Sequence, residues 1–470
     1  MEIKNNKKII TKPLTLFALT WPIFIELFLH MLMGSTDTFM LSHVSDDAVA
    51  AVGVANQLVF FTILLFGFVA TGTAVLVSQY LGAKKILEAK NASAISITLN
   101  LIFGILVSVA VVVFREDFLN LFELTEEIKG YASQYLLIVG GTIFTQALLI
   151  TLASILRANG FTKDAMFVSI IMNVINVVGN ALLIYGFFGL PEMGVQGIAI
   201  ATAVSRAVAL LLMFRLIYKL LPISIAFKDY LNFDIKQIKK ILNIGVPAAG
   251  EQAIYNTSQI AITAIIAIIG AEALTTRVYA FNIMSFILLF GLAMGQGTQI
   301  LIGHKVGARD FDGAYNQLLK SLKSSIIITI LIAVLVAIFR EHLISIFTDN
   351  QVIIQVGGSL LLLSLILEPG RTFNLVVINS LRATGDARFP VLMAFISMWG
   401  ISVPLSYFLG ITLGLGLAGV WISFIVDEWL RGIIMYFRWK SRVWEKKILV
   451  SNDDQNQFDD KKGDLVGVDV

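Results

Sequence analysis

The sequence predicts an all-α polytopic membrane protein: twelve transmembrane helices in two six-helix lobes, related by a pseudo-two-fold axis along the membrane normal. Three observations carry that prediction. The 470 residues are 57% hydrophobic and only 14% charged, with a mean hydropathy of +0.83, whereas a soluble domain is roughly 45–50% apolar and about 25% charged. A set of residues recurs at an offset of 225, which declares an internal duplication. Lys and Arg crowd into alternate loops, as the topology of a membrane protein requires.

Apolar runs of about 20 residues, the length that crosses a bilayer, fall at 14–40, 49–81, 92–114, 131–156, 165–188 and 194–220. A second six fall at 241–269, 274–303, 321–339, 355–381, 389–410 and 414–437. The basic start, MEIKNNKKIITK, resembles the end of a signal peptide, but the run behind it is too long and has no Ala-x-Ala site, so it reads as a retained anchor helix. Lys84, Lys85, Arg157, Lys163, Arg215, Lys219, Lys305, Arg309, Arg382 and Arg388 fall on one side, with the basic start and Arg438 to Lys447. The opposite loops hold Arg115, Lys129, Arg277 and Arg340 beside Asp46, Asp47, Glu123, Glu126 and Glu127. Both termini are therefore expected in the cytoplasm. Residues 1–13 form a cytoplasmic segment, 14–220 the first lobe, 221–240 a cytoplasmic amphipathic linker with Asp234 as helix cap, 241–440 the second lobe, and 441–470 a tail expected to be disordered.

The repeat pairs Pro22 with Pro247, Glu26 with Glu251, Gly72 with Gly297, Gly82-Ala83-Lys84 with Gly307-Ala308-Arg309, and Arg157-Ala158 with Arg382-Ala383. The offset slips to 222 at Gly194 and Gly197, which match Gly416 and Gly419. An even number of helices per half gives both repeats the same orientation, as in parallel-repeat transporters.

Charged residues inside spans are costly and normally face a cavity or a partner. In the first span Glu26, His30 and Asp37 share one helix face. His30 fits a hydrogen-bonded core histidine better than a proton relay. Pro22, Pro247 and Pro369 each strip a carbonyl of its donor near a carboxylate, an arrangement suited to a cation or proton site. Glu251 leads a polar face with Gln252, Tyr255, Asn256 and Gln259 and is expected to meet Glu368 across its lobe. Glu368 and Arg371, three apart, suit a salt bridge or a coupling role equally. Asp427, Glu428 and Arg431 read as a structural cluster, and Arg206 is expected to reach an acid on another helix. Asn173, Asn176 and Asn180 make one polar face. No P-loop, HExxH, GxSxG or zinc spacing occurs, so ATP-driven transport and hydrolysis have no residues to carry them.

Pro22 with Asp37 in DTFMLSHVSDDAVAAVG, the basic turn after the second helix, NVVGNALLIYGFFGLPEMGVQGIAIAT and SLRATGDARFP together resemble the multidrug and toxic compound extrusion (MATE) family over essentially 14–439. That resemblance implies a V-shaped antiporter exporting small organic cations against entering H⁺ or Na⁺. It implies that Asp37 is the acid of the first helix, and that Asn176, Asn180 and Thr202 are the other polar positions of that lobe's cation site. Many members carry Asp where Asn180 stands and the seventh-helix acid where Tyr255 stands. Asp37 and Glu251 are thus the first candidates for ion coupling, then Glu26 and Glu368, with Asn176, Asn180, Thr202, Tyr255, Asn256, His30 and Arg371 as polar lining. An acidic lining with Arg371 as its nearest basic group favours cationic cargo. The expectation is a non-enzymatic, monomeric carrier of the inner (plasma) membrane, in contact with lipid and with no nucleic-acid partner. It has no cofactor besides the coupling ion, and Na⁺ at Asp37 or Glu251 is the one metal considered. A flippase for a lipid-linked or amphipathic substrate is the alternative, and a channel the less favoured one.

Overall fold

The computed structural model describes residues 14–450 apart from 190, 223, 224 and 232. In the first half, α1 (Leu16–Ser42), α2 (Asp46–Gly82) and α3 (Ile86–Leu119) lead to a fourth span bent by 45°. That span joins α4 (Glu126–Tyr135) to α5 (Phe144–Ala158) through a π-helical turn, and α6 (Thr162–Ile184) and α7 (Gly194–Leu220) follow. After the short α8 (Phe227–Tyr230), the second half comprises α9 (Ile235–Ile269), α10 (Ala271–Gly307), α11 (Phe311–Ile338), the short α12 (Arg340–Ser345) and α13 (Gln351–Thr384). Its eleventh span is α14 (Arg388–Ser397) and α15 (Val403–Tyr407), each followed by a π-helical turn, and α16 (Gly416–Lys440) closes the bundle. Among the described residues ten helices are long and apolar enough to cross a bilayer, and the bent fourth pair makes an eleventh. The twelfth, α16, carries Asp427, Glu428 and Arg431, whose charges are paired with one another.

Side-chain caps start these helices, since the first N–H groups of a helix have no internal partner. Thr15, Ser45, Thr125, Asp310 and Asn350 each accept from the first turn they precede. Several helices outrun the apolar segments that announced them: the 37 residues of α2 extend about 55 Å against a hydrocarbon core of about 30 Å. The amphipathic turn expected as part of the linker is instead the start of α9, capped by Asp234. The tail boundary also moves, because residues 441–450 are folded: Trp444 is fully buried against Trp439, and Val450 joins a buried apolar cluster that includes Leu76 and Ile241. Residues 451–470 and 1–13 lie outside the described residues.

The halves meet through a self-complementary surface, as two-fold symmetry demands. Gln79 of α2 donates to the Ala383 carbonyl of the second half (2.7 Å), and His304 of α10 donates to the Ala158 carbonyl of the first (2.8 Å). Both donors and both acceptors stand in the repeat register. Gly82 lies on the backbone of His304 and Gly307 on that of Gln79, so closely that a Cβ at either would overlap main-chain atoms. Leu449 then donates to the Gln79 amide oxygen, laying the C-terminal segment across this seam. Towards the other end Phe28 meets Phe286 (6.0 Å between centroids) and Ser285 meets Met31 (3.7 Å), while Phe39 and Phe281 are exposed.

Between the halves, α8 is tied to α3 by Lys90 and Asp229 at 2.9 Å. Burial works to raise the Asp229 carboxyl, but the Lys90 ammonium and the Ala226 amide outweigh it and hold the group below its usual range. The pair therefore stabilises the fold at neutral pH, and that contribution is lost as pH falls through the depressed value. Asp229→Asn leaves the Lys90 ammonium buried without its counter-charge and is expected to cost about 2–3 kcal/mol. Thermal unfolding in detergent checks it, and the difference between variant and parent should shrink in acid.

Candidate functional site

In the first lobe, Asp37 on α1 is 6% exposed and accepts a hydrogen bond from Asn180 of α6 at 2.6 Å. Asn180 also donates to Asn176 one turn earlier (3.3 Å), and Asn176 donates to Thr202 of α7 (3.2 Å). The helical spacing that put 176 and 180 on one face is what lines up the row. All four residues are buried, so the row is sealed among helices and only its acid carries charge. Tyr135, which donates to Asn56 (3.1 Å), and the Arg206 guanidinium are the groups whose charge acts on or is acted on by Asp37.

Glu26 departs from its expected role. Its carboxylate is bonded to Arg157 of α5 at 3.1 Å. Glu251 is bonded to Arg382 of α13 at 2.7 Å. Each pair spans 131 residues, the same separation in both halves, so these are one ion pair duplicated. The Na⁺ site considered at Glu251 is therefore occupied by a guanidinium, and among the described residues no group of three or more acids or histidines could hold a metal. Pro22 does not open a cavity either, because the carbonyl it frees, that of Ala18, accepts from Thr162 at 3.1 Å. His30 has the Glu26–Arg157 pair and Arg206 as its charged neighbours.

In the second lobe, Glu368 does not meet Glu251. It is fully buried and takes Arg371 at 2.7 Å, while Arg371 reaches Glu428 at 3.6 Å. Arg431 holds Asp427 with two bonds (3.1 and 2.8 Å) and Glu428 at 3.1 Å. Asn374 donates to Glu428 and Ser397 to Asp427. Three carboxylates and two guanidiniums thus interlock, as buried charge requires, while the Glu368 Oε2 is buried without a partner. Beside them a recess of about 310 Å³, open to solvent, is lined by Tyr255, Arg277, Phe281, Arg371, Trp421 and Phe424, among others. Tyr255 belongs to it; Asn256 instead accepts from Gln252 on the exposed face of α9.

Of the sequence candidates, the structure unites Asp37, Asn176, Asn180 and Thr202 in one lobe and Tyr255, Glu368 and Arg371 in the other. It separates Glu26 and Glu251 from both. The acidic lining thereby disappears as an argument, since among the described residues Glu26, Glu251 and Glu368 are each met by an arginine. Sequence reading passed over Tyr135, Gln79 and His304, and took Arg157 only as a repeat position and a loop charge. Gln79 and His304 stand 225 apart and both are polar, which was the signal available for them.

A family model described as MatE matches residues 22–182 and 247–408, once in each half. The chain is 48% identical to "Uncharacterized transporter YisQ" of Bacillus subtilis (strain 168) over 94% of this chain and 97% of that protein. It is 28% identical to "Multidrug resistance protein NorM" of Vibrio cholerae over 87% and 91%, respectively. Among solved structures, an outward-facing multidrug resistance MATE family transporter superposes with a TM-score of 0.83 at 21% identity, covering 91% of this chain and 95% of that one. MATE in the straight conformation gives 0.84 at 20% identity with the same coverage. At such identities these two establish the two-lobed, twelve-helix fold. With the family model present in both halves and a relative this similar along nearly the whole length, the chain belongs to the MatE family of multidrug-efflux transporters, and it is a multi-pass membrane transporter, not an enzyme.

Proposed function

We propose that the chain is a proton-coupled antiporter that exports organic compounds by alternating access of its two lobes, and that Asp37 is the coupling acid. One observation carries the reading. Among Glu26, Asp37, Glu251, Glu368, Asp427 and Glu428, Asp37 is the one with no Lys or Arg nitrogen within 4 Å among the described residues. A carboxylate locked by an arginine keeps its charge through a cycle, whereas one held by a neutral amide is free to exchange it for a proton. Cationic cargo is part of the proposal, because an exported positive charge balances the proton that enters. The relatives named as multidrug resistance proteins support export as the direction.

The seam of Gln79, His304, Gly82 and Gly307 lies at the end rich in Lys and Arg, which the charge asymmetry assigns to the cytoplasm together with both termini. The inner membrane, a monomeric state and an outward-open conformation for this structure belong to the same reading. An inward elementary charge releases about 2.3 kcal/mol per 100 mV, enough for a several-tenfold gradient.

Asp37→Asn should leave a folded protein that still binds a cationic dye but loses pH-driven efflux from proteoliposomes. The amide can still accept from Asn180, so the row survives while the exchangeable charge does not. Efflux at the parental rate in this variant would move coupling to Glu368 in the second lobe.

A further inference from the structure

Among the described residues of the first lobe, Asp37 is one of two buried charged side chains with no ion-pair partner; the other is Arg206 on α7. Its side chain is buried, at 5% exposure, and its Nε and Nη1 have no hydrogen-bond partner. No carboxylate lies within 4 Å of it among the described residues, so the acid expected for it on another helix is not in contact. Yet it stands one helical turn beyond Thr202, the last member of the row that begins at Asp37. The titratable and charged groups around it are Asp37 and His30 of α1 and Tyr135 of α4, with the Glu26–Arg157 pair beyond His30. The Asn180 side-chain oxygen is also buried without a partner. An arginine has five N–H donors in a rigid fork suited to a carboxylate, and leaving them unmet in a dry site is costly. Such a side chain signals a second arrangement in which the donors are met. Of the carboxylates near it, Asp37 is the one that no arginine or lysine already holds.

We propose that Arg206 is a tethered competitor for the coupling proton: it is held off Asp37 in the conformation seen here and pairs with Asp37 in the opposite one, expelling the proton. This deepens the reading of Asp37 as the coupling acid and rests on it. The exchange is balanced, because Asp37 holds either a proton through a covalent O–H bond or the guanidinium through hydrogen bonds, and the proton leaves to water. It also bears on the coupling ion. The side chain bonded to Asp37 is a donor, the Asn180 amide, and Arg206 too can only donate, whereas a hard cation would need several oxygens. A proton needs one lone pair.

The test uses purified full-length protein with a pH indicator and a cationic dye, alongside efflux from proteoliposomes. Dye addition to the parent should release protons. Arg206→Gln should bind dye within about threefold of the parent while proton release and pH-driven efflux fall by about tenfold or more. Arg206→Lys, which keeps the charge, should recover a measurable part of both. Because the guanidinium is unpartnered here, Arg206→Gln should be no less thermostable than the parent. Parental proton release in Arg206→Gln overturns the proposal, and so does a marked loss of stability, which would mean that the arginine is a structural tie. If Arg206→Gln is impaired but Asp37→Asn still releases protons, the assignment of Asp37 fails separately. Na⁺ in place of a pH gradient should drive no efflux in the parent, and Asp37-dependent Na⁺-driven efflux would sink the competitor while leaving Asp37 as the coupling acid.

Discussion

Alanine at both Gly82 and Gly307 should abolish efflux and hold the protein open at the end where the helices now touch. Each glycine ends a long helix, α2 or α10, and each rests on the main chain of the other half, Gly82 on His304 and Gly307 on Gln79. The obstructing atoms are backbone, so no side chain can swing aside. Overpacking of this kind costs about 2 kcal/mol per site, and the pair about 4 kcal/mol, close to a thousandfold in the population of the closed seam. Separating the two backbones also breaks the bonds from Gln79 to Ala383 and from His304 to Ala158. Because the chain has no cysteine, a cysteine at Val75, fully buried beside Ile244, reports the outcome. It should resist maleimide in the parent and react in the double variant. Protection together with efflux within about twofold of the parent would show that the seam tolerates the two methyl groups and that the closed state is set elsewhere.

Arg431→Met has the largest expected effect on stability. The arginine is 4% exposed and satisfies Asp427 through two bonds and Glu428 through one. Its loss leaves Asp427 with Ser397, and Glu428 with Asn374 and an Arg371 already committed to Glu368. Removing one side of a buried ionic cluster costs about 3–5 kcal/mol, most of it the stranded charge and not the lost attraction. Adding Asp427→Asn should therefore recover about half of the loss, which a structural role for the arginine's bulk alone would not allow. Thermal unfolding and the monodisperse fraction after extraction measure both variants. A single variant within about 1 kcal/mol of the parent would show that water reaches the cluster.

The sequence by itself determined the class, the number of spans and the duplication, because hydropathy and an offset of 225 are properties of the chain that burial in lipid reads directly. It also set the row of Asn176 and Asn180, since residues four apart share a helix face whatever the helix packs against. Tertiary structure decided which charges meet. Glu26 and Arg157 lie 131 residues apart, as do Glu251 and Arg382, and no periodicity on one helix tells which other helix supplies its partner. Both residues of each pair stand in the repeat register, yet the sequence alone points Glu251 towards Glu368. The same holds for residues 441–450: the sequence assigned them to the tail, but Trp444 and Val450 find apolar surface that only the assembled halves present. Arg206 shows the limit from the other side. A buried charge on α7 was legible in the sequence, but that it stands near Asp37 with its donors unmet follows from the packing of α1, α4 and α7, and it is this unmet charge that the sequence had no means of expressing.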